Sequence, residues 1–185
     1  MGQSNYGLIV TDMLNDFVTG DLKVRGVGKI IPCIRGIIDA ARSHSVPIIY
    51  ANDAHVDGDL ELLLWGRHAM RGTTGAQVIS ALEPSSGDHV LEKRTYSAFQ
   101  NTELDQLLRA LSVKSVVLAG TLTHICIMHT AADAFFRGYN VIIAEDGVAD
   151  IKRSDHRIAL GYMKDLYGAR VLPSTEIVML FGMSL

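Results

Sequence analysis

The chain has 185 residues, which is enough for one domain with a sizeable core, and we expect residues 1–185 to form that domain. Its net charge is −3, and it has no long basic block and no apolar run long enough to cross a bilayer, which argues against nucleic acid and membranes as partners. The two cysteines have no paired spacing, which suits a reducing compartment and predicts a cytoplasmic protein.

Short apolar segments alternate with amphipathic segments along the chain. The continuous apolar segments predict strands buried on both faces, in chain order at 6–11, 46–51, 88–91, 115–119, 140–144 and 170–172. The amphipathic segments predict helices at 30–43, 75–82, 102–111, 127–137 and 154–167. This alternation predicts a three-layer α/β/α domain with a central, mostly parallel sheet of about six strands.

Four side chains with useful chemistry stand where predicted strands end. Asp12, Asp53, Lys93 and Cys126 each lie at or just beyond the carboxyl end of a strand. Because ligands bind outside the carboxyl ends of parallel strands, we expect these four side chains to share one site. The long irregular stretch 52–87 predicts a binding loop or a lid over that site.

Cys126 lies where a strand passes into a helix. Unpaired N–H groups and the helix dipole at such a position favour a thiolate over a thiol. A lone cysteine is more often a small buried hydrophobe, so its neighbours decide its role. Asp12 would accept the thiol proton and the ammonium group of Lys93 would stabilise both anions, which predicts attack by Cys126 on a carbonyl carbon.

Candidate metal ligands follow the second predicted strand. Asp53 and His55 are two residues apart in extended chain, so their side chains point the same way, and His68 begins the next ordered segment. One carboxylate and two imidazoles suit Zn²⁺, Fe²⁺ or Mn²⁺. The spacing alone leaves open the alternative that these residues are polar loop residues in solvent.

Three segments occur in order along the chain: IVTDMLNDF, EKRTYSAFQNTELDQLL and VVLAGTLTHICIMHTAADAFFRGYNVIIAEDGVAD. Together they resemble the isochorismatase-like superfamily of cysteine hydrolases, which includes nicotinamidases and N-carbamoylsarcosine amidase. The resemblance implies a catalytic triad of Asp12, Lys93 and Cys126. It also implies a cis peptide bond between Thr121 and Leu122, with the N–H groups of Leu122 and Cys126 directed at a developing oxyanion.

A second set of motifs is similar to nicotinamidases in particular. Asp-x-His stands at Asp53 and His55, Trp-x-x-His stands at Trp65 and His68, and Gly-Thr-x-Gly-Ala stands at 72–76. The resemblance implies a divalent metal ion, zinc or else iron or manganese, on Asp53, His55 and His68, and no organic cofactor. It also implies an aromatic substrate pocket formed by Phe17, Trp65 and Tyr96, although Phe17 would equally suit the core.

The resemblance implies an amidohydrolase that releases ammonia from a small amide through a thioester on Cys126. Nicotinamide, which would give nicotinate, is the first expectation for the substrate. Ala69 and Ile125 replace a cysteine and a tyrosine that many nicotinamidases have, so a carbamoyl or ureido compound is the alternative. The carboxylate of such a compound would bind one of three arginines: Arg67, Arg71 or Arg94.

Two further expectations concern partners. A catalytically silent scaffold of the same fold is the alternative of another class, and the presence of all three triad residues argues against it. The C-terminal run 177–185 has no charged side chain and would cover its own core or bury against a second subunit. We therefore expect a homo-oligomer that acts on a small-molecule amide.

Overall fold

A six-stranded parallel sheet forms the centre of the computed structural model, which describes residues 5–183. Its strands are Tyr6–Thr11 (β1), Ile48–Asp53 (β2), His89–Lys93 (β3), Ser115–Thr121 (β4), Asn140–Ala149 (β5) and Arg170–Leu172 (β6). They lie in the order β3-β2-β1-β4-β5-β6, and every neighbouring pair is parallel. The predicted parallel α/β sheet is therefore confirmed.

Helices cover both faces of this sheet. Those of the described residues are Asn15–Val18 (α1), Ile31–Ser43 (α2), Glu61–Trp65 (α3), Leu104–Ala110 (α4), Met128–Phe136 (α5), Arg153–Tyr167 (α6) and Ser174–Gly182 (α7). Alternate residues of β1 enter different cores: Leu8 and Val10 pack with α2 and α7, whereas Ile9 packs with α4, α5 and α6. The fold thus has the three predicted layers, because side chains alternate along a strand.

The helix predicted at 75–82 is wrong. The structure has two short 3₁₀ turns, Thr74–Ala76 and Ser80–Leu82, with extended chain between them. The backbone there pairs with the segment after β1: the Asn15 N–H donates to Gln77 O at 3.0 Å, and the Ile79 N–H donates to Met13 O at 3.0 Å. These bonds occupy groups that a helix would have used internally.

Several strands extend further than their apolar residues predict. β2 ends at Asp53 and β3 at Lys93, and these two residues lie opposite each other in the parallel ladder. β4 ends at Thr121, and β5 extends to Ala149 beyond a register shift between Leu118 and Gly120 of β4. Because backbone pairing continues to these polar residues, they lie together at the carboxyl-terminal edge of the sheet.

The C-terminal run packs on its own chain. Ile177 and Phe181 of α7 are buried in the core that α2 also lines, whereas Met179 and Met183 are exposed. The last residues of the run, 184 and 185, lie outside the described residues. None of the described helices is both long enough and apolar enough to cross a membrane.

Candidate active site

Three strand ends bring the predicted triad together. Asp12 directly follows β1, Lys93 is the last residue of β3, and Cys126 lies in a single π-helical turn, Thr123–Ile127, between β4 and α5. The Lys93 ammonium nitrogen lies 2.9 Å from an Asp12 carboxylate oxygen and 3.6 Å from the Cys126 sulfur. The exposed fractions of Asp12, Lys93 and Cys126 are 1%, 1% and 6%, so this cluster is shielded from solvent.

Asp53 joins the triad to a second group of residues. Its main-chain N–H donates a hydrogen bond of 2.7 Å to the Asp12 carboxylate, and its own carboxylate accepts one of 2.5 Å from Lys93. Lys93 thus neutralises part of the charge of two buried carboxylates at once. Burying such charges is costly without this pairing.

The surroundings of the cluster set its protonation states. Burial raises the pKa of Asp12 to about 6, with Asp53 adding to the effect and Lys93 opposing it. Burial lowers the pKa of Lys93, but the two carboxylates raise it by more, to well above its usual value. Burial also raises the pKa of Cys126 well above its usual value, because Lys93 offsets burial only in part. At neutral pH the cluster therefore contains a carboxylate, an ammonium group and a thiol.

The expectation that Cys126 rests as a thiolate is thus wrong. The favourable end of a helix dipole does not outweigh burial of the sulfur next to two carboxylates. A thiol at rest needs a base when it reacts, and Asp12 has both the position and the raised pKa for that role.

The backbone before Cys126 allows β4 to approach β1 closely. Gly120 has a φ of +120°, and a Cβ atom at this position would lie 1.9 Å from the carbonyl oxygen of Thr11. The next residue, Thr121, donates from its hydroxyl to the carbonyl of Asp12 at 3.1 Å. The Thr121–Leu122 peptide bond is cis, as the resemblance implied. Glycine at 120 is therefore required for the contact that sets Cys126 beside Asp12.

The turn that carries Cys126 has an anchor that the sequence did not reveal. The Asp150 carboxylate, at the end of β5, accepts the main-chain N–H of His124 at 2.9 Å and contacts the His124 ring at 2.6 Å. The Asp150 side chain is fully buried. Its sequence position gave no signal, because it meets His124 only through the β4–β5 pairing.

The three predicted metal ligands form a compact group. One donor atom from each of Asp53, His55 and His68 lies within 4.8 Å of the others, and all three residues are buried. His55 Nδ1 contacts Asp59 at 3.1 Å and His68 Nδ1 contacts the carbonyl of Gly66 at 2.9 Å, which leaves both Nε2 atoms for a metal. His55 Nε2 is buried without a hydrogen-bond partner. This orphaned nitrogen and the donor set fit Zn²⁺ or a similar ion.

Glu61 is a further carboxylate at this group that the sequence analysis missed. Its Oε2 lies 3.9 Å from His55 Nε2, and burial, with the Asp53 charge next, raises its pKa to about 7. Such a carboxylate is available as one more oxygen donor near the metal-binding group. The sequence hid it because the short helix α3 follows an irregular loop without a strand to place it.

The predicted aromatic pocket adjoins the nucleophile. Phe17, Trp65 and Tyr96 line one cavity with Cys126, and Leu22, Leu122 and Ile125 add apolar walls. The Trp65 indole N–H donates to the Tyr96 hydroxyl at 3.0 Å, and the Phe17 ring lies edge-on to His68 with 5.6 Å between ring centres. Phe17 is therefore both a core residue and part of the pocket wall.

The three candidate arginines lie outside this inner pocket, and each pairs with a carboxylate. Arg67 pairs with Asp57, Arg71 Nε lies 2.8 Å from Glu92, and Arg94 Nε donates to Asp59 at 3.0 Å. Two of the three, at positions 71 and 94, line a wider groove of about 740 Å³ that shares Glu61 and Tyr96 with the inner pocket.

Comparison with known proteins assigns the family. N-carbamoylsarcosine amidase from Thermoplasma acidophilum is 42% identical, with a TM-score of 0.86 over 91% of this chain and 96% of that one. Nicotinamidase from Bacillus subtilis is 31% identical, with a TM-score of 0.86 over 90% and 98% of the two chains. Pyrazinamidase of Pyrococcus horikoshii in complex with zinc is 30% identical, with a TM-score of 0.86 over 91% and 99%. The isochorismatase domain profile matches residues 6–176, so this chain belongs to the isochorismatase family.

Proposed function

We propose that this protein is a cysteine-dependent amidohydrolase that releases ammonia from a small amide, with nicotinamide as the preferred substrate. The observation that carries the proposal is the buried cluster in which Lys93 contacts both Asp12 and Cys126. A nucleophile, a base and a balancing cation in one water-poor site are the groups that covalent amide hydrolysis needs. A catalytically silent scaffold would not need these charged groups, whose burial is energetically unfavourable.

Asp12 can transfer each proton of the reaction. Asp12 accepts the thiol proton while the Cys126 sulfur bonds to the amide carbon, and the carbonyl oxygen gains negative charge. The N–H groups of Leu122 and Cys126 stabilise that oxygen. The C–N bond then breaks, and Asp12 returns the proton to the departing ammonia. Water adds to the thioester as Asp12 takes its proton, the C–S bond breaks, Asp12 gives that proton to the Cys126 sulfur, and the acid product leaves.

The metal-binding group supports a substrate with a ring nitrogen. Asp53, His55 and His68 would hold a divalent ion next to the inner pocket, since Asp53 and His68 line it together with Cys126. When bound, such an ion supplies a Lewis acid that can anchor a lone pair of the substrate. A relative whose structure is described in complex with zinc supports the choice of that metal.

The charges around the pocket favour a neutral amide. Asp53 and Glu61 line the inner cavity. The arginines expected to bind a substrate carboxylate are each paired with an acidic side chain instead. A ureido acid would have to break one of these pairs, whereas nicotinamide carries no charge to satisfy.

A ureido or carbamoyl compound is the second candidate. The N-carbamoylsarcosine amidase compared above is 42% identical to this chain, whereas the nicotinamidase is 31% identical. Arg71 and Arg94 in the wider groove would then meet the carboxylate. This alternative keeps the nucleophile and the base and changes the substrate.

Ammonia release from a substrate panel tests the proposal. The panel holds nicotinamide, N-carbamoylsarcosine and simple aliphatic amides, with Cys126→Ala as the inactive variant and Cys33→Ala as its matched control. We expect nicotinamide to be turned over, Cys126→Ala to lose roughly 10⁴-fold or more in rate, and Cys33→Ala to keep the wild-type rate. Chelation should lower turnover, and added zinc should restore it.

Each result has a distinct meaning. Turnover of the ureido compound in place of nicotinamide, still dependent on Cys126, would move the substrate to the second candidate. Turnover that survives Cys126→Ala would overturn the thioester mechanism. No turnover of any amide by zinc-loaded protein would contradict the proposed activity.

A further inference from the structure

Asp59 has an unusual set of contacts for a loop residue. Its side chain is 5% exposed, and its carboxylate lies 3.1 Å from His55 Nδ1. It also accepts the main-chain N–H of Val56 at 3.0 Å and the Nε–H of Arg94 at 3.0 Å. The Asp59 carboxylate thus connects the candidate metal ligand His55 with the backbone of Val56 and with Arg94, the residue that follows Lys93.

These contacts fix the protonation pattern of the His55 ring. Asp59 is held by Arg94, so it is ionised and can only accept a hydrogen bond. His55 Nδ1 must therefore carry a hydrogen, so Nε2 is the ring nitrogen whose lone pair a metal ion can take. That Nε2 atom is buried without a hydrogen-bond partner, 3.7 Å from Asp53 and 3.9 Å from Glu61. The lone pair is thus presented to the carboxylates that would share a metal ion with it.

We propose that Asp59 is a positioning residue, which holds His55 in the tautomer and orientation that a divalent metal requires, with Arg94 holding Asp59 in turn. This inference rests on the metal site of the proposed function. Carboxylates behind a metal-bound histidine raise its basicity and fix its ring, and their loss typically costs about 10–100-fold in metal affinity.

The chain offers a matched control two residues away. Asp57 belongs to the same loop and also pairs with an arginine, Arg67, but its side chain is 78% exposed and its partner is 66% exposed. Removing the charge of either aspartate changes the net charge of the loop equally. A difference between the two variants therefore reports the contact with His55 and not the loss of one negative charge.

Zinc affinity of the intact protein is the first test, measured by competition with a chromophoric chelator. We expect Asp59→Asn to bind zinc 10–100-fold more weakly than wild type, because the asparagine amide can donate to Nδ1 and favour the wrong tautomer. Asp57→Asn should bind zinc as wild type does. Arg94→Gln, which keeps Asp59 and frees it to rotate, should weaken binding by a smaller factor.

The ring nitrogens give a readout that needs no metal. Long-range ¹H–¹⁵N spectra of the metal-free protein, recorded at alkaline pH so that the His55 ring is neutral and assigned from a His55→Gln variant, should show hydrogen on Nδ1 in wild type and Asp57→Asn. Asp59→Asn should shift the ring towards hydrogen on Nε2. If Asp59→Asn unfolds, the zinc affinity of Arg94→Gln decides the matter: an affinity equal to that of Asp57→Asn would contradict the role of the Arg94–Asp59–His55 chain of contacts.

Two outcomes would overturn the inference: hydrogen on Nε2 and not on Nδ1 in the neutral wild-type ring, or equal zinc affinity in Asp59→Asn and Asp57→Asn. Neither depends on amide hydrolysis. Zinc binding that weakens in Asp59→Asn without turnover of any amide would sink the proposed activity and leave the role of Asp59 standing.

Discussion

Lys93 shows how a single side chain can make a reactive site compatible with a folded core. It lies almost wholly buried at the end of β3, with an ion pair to each of Asp12 and Asp53 and a contact to the Cys126 sulfur. Its charge stabilises two carboxylates that would otherwise be buried with poor compensation. The same residue thus serves both stability and the proposed chemistry.

Replacing Lys93 with methionine should therefore destabilise the protein as well as inactivate it. We expect Lys93→Met to lower the free energy of unfolding by about 3–5 kcal/mol, since the buried pair is broken and two carboxylates stay behind. Urea unfolding followed by circular dichroism measures this change. Lys114→Met, at an exposed lysine, should stay within about 0.5 kcal/mol of wild type. Equal stability of the two variants would contradict the role assigned to Lys93.

Asp12 allows catalysis to be separated from binding. It does not line the inner pocket, so Asp12→Asn should remove the base and leave the walls that hold the substrate. We expect kcat to fall about 10²–10⁴-fold with KM little changed, which steady-state ammonia release measures. Asp21→Asn, at an exposed aspartate, is the control. A rise in KM with an unchanged kcat would show that Asp12 binds substrate and does not transfer protons.

At the scale of elements, the close approach of β4 to β1 determines where the nucleophile lies. The two strands pair in register from Tyr6 opposite Ser115 to Thr11 opposite Gly120. Beyond that last pair the chain turns towards Asp12 on one strand and towards Cys126 on the other. A side chain at position 120 would push these strand ends apart.

Two glycine-to-alanine variants test this argument in opposite directions. Gly120→Ala should cost at least about 2 kcal/mol of unfolding free energy, because its Cβ would lie 1.9 Å from Thr11 O at a φ of +120°. Gly36→Ala, within α2 and with open space around its Cβ, should stabilise by about 0.5–1 kcal/mol. Chemical denaturation measures both. Tolerance of alanine at position 120 would show that the close approach is unnecessary.

The sequence predicted elements well where local patterns decide the structure. Continuous apolar runs located all six strands, and the polar residues that follow them identified the edge where Asp12, Lys93 and Cys126 meet. The sequence-based prediction was wrong where contacts with distant backbone determine the structure. The carbonyl of Gln77 accepts the N–H of Asn15, so the helix expected at 75–82 does not form. The protonation of Cys126 was mistaken for the same reason, since burial by the whole fold sets it.

The metal-binding loop shows the same limit. Asp53 and His55 follow from strand spacing, but His68 reaches them because the next residues pair with His55: the His55 N–H donates to Ala69 O at 2.9 Å, and the Arg71 N–H donates to His55 O at 2.9 Å. Asp59 and Glu61 lie in that irregular region too, so no periodicity marked them. The hydrophobic periodicities of strands (two residues) and helices (3.6 residues) do not predict the conformation of an irregular segment, because tertiary contacts determine it.

At the scale of the whole molecule, the expected homo-oligomer stays a prediction, and the structure offers a second surface for it besides the C-terminal run. The C-terminal run buries Ile177 and Phe181 in its own core and is therefore a poorer candidate than the sequence indicated. On α6, by contrast, an apolar stripe at helical spacing is 53–58% exposed; it consists of Ile158, Tyr162 and Leu166. Large exposed apolar side chains in a row are typical of interaction surfaces.

Packing of α6 against the α6 of a second copy, related by a twofold axis, would bury this apolar stripe. An antiparallel pair centred on Gly161 would place Arg157 of one copy near Asp165 of the other, twice, and Gly161 has open space for a close approach. We expect light scattering to give a multiple of the chain mass, and Tyr162→Glu to reduce it to one chain. Met179→Glu, at an exposed residue of α7, should leave the mass unchanged. A wild-type mass of one chain would refute the oligomer, and an oligomer that survives Tyr162→Glu would place its interface elsewhere.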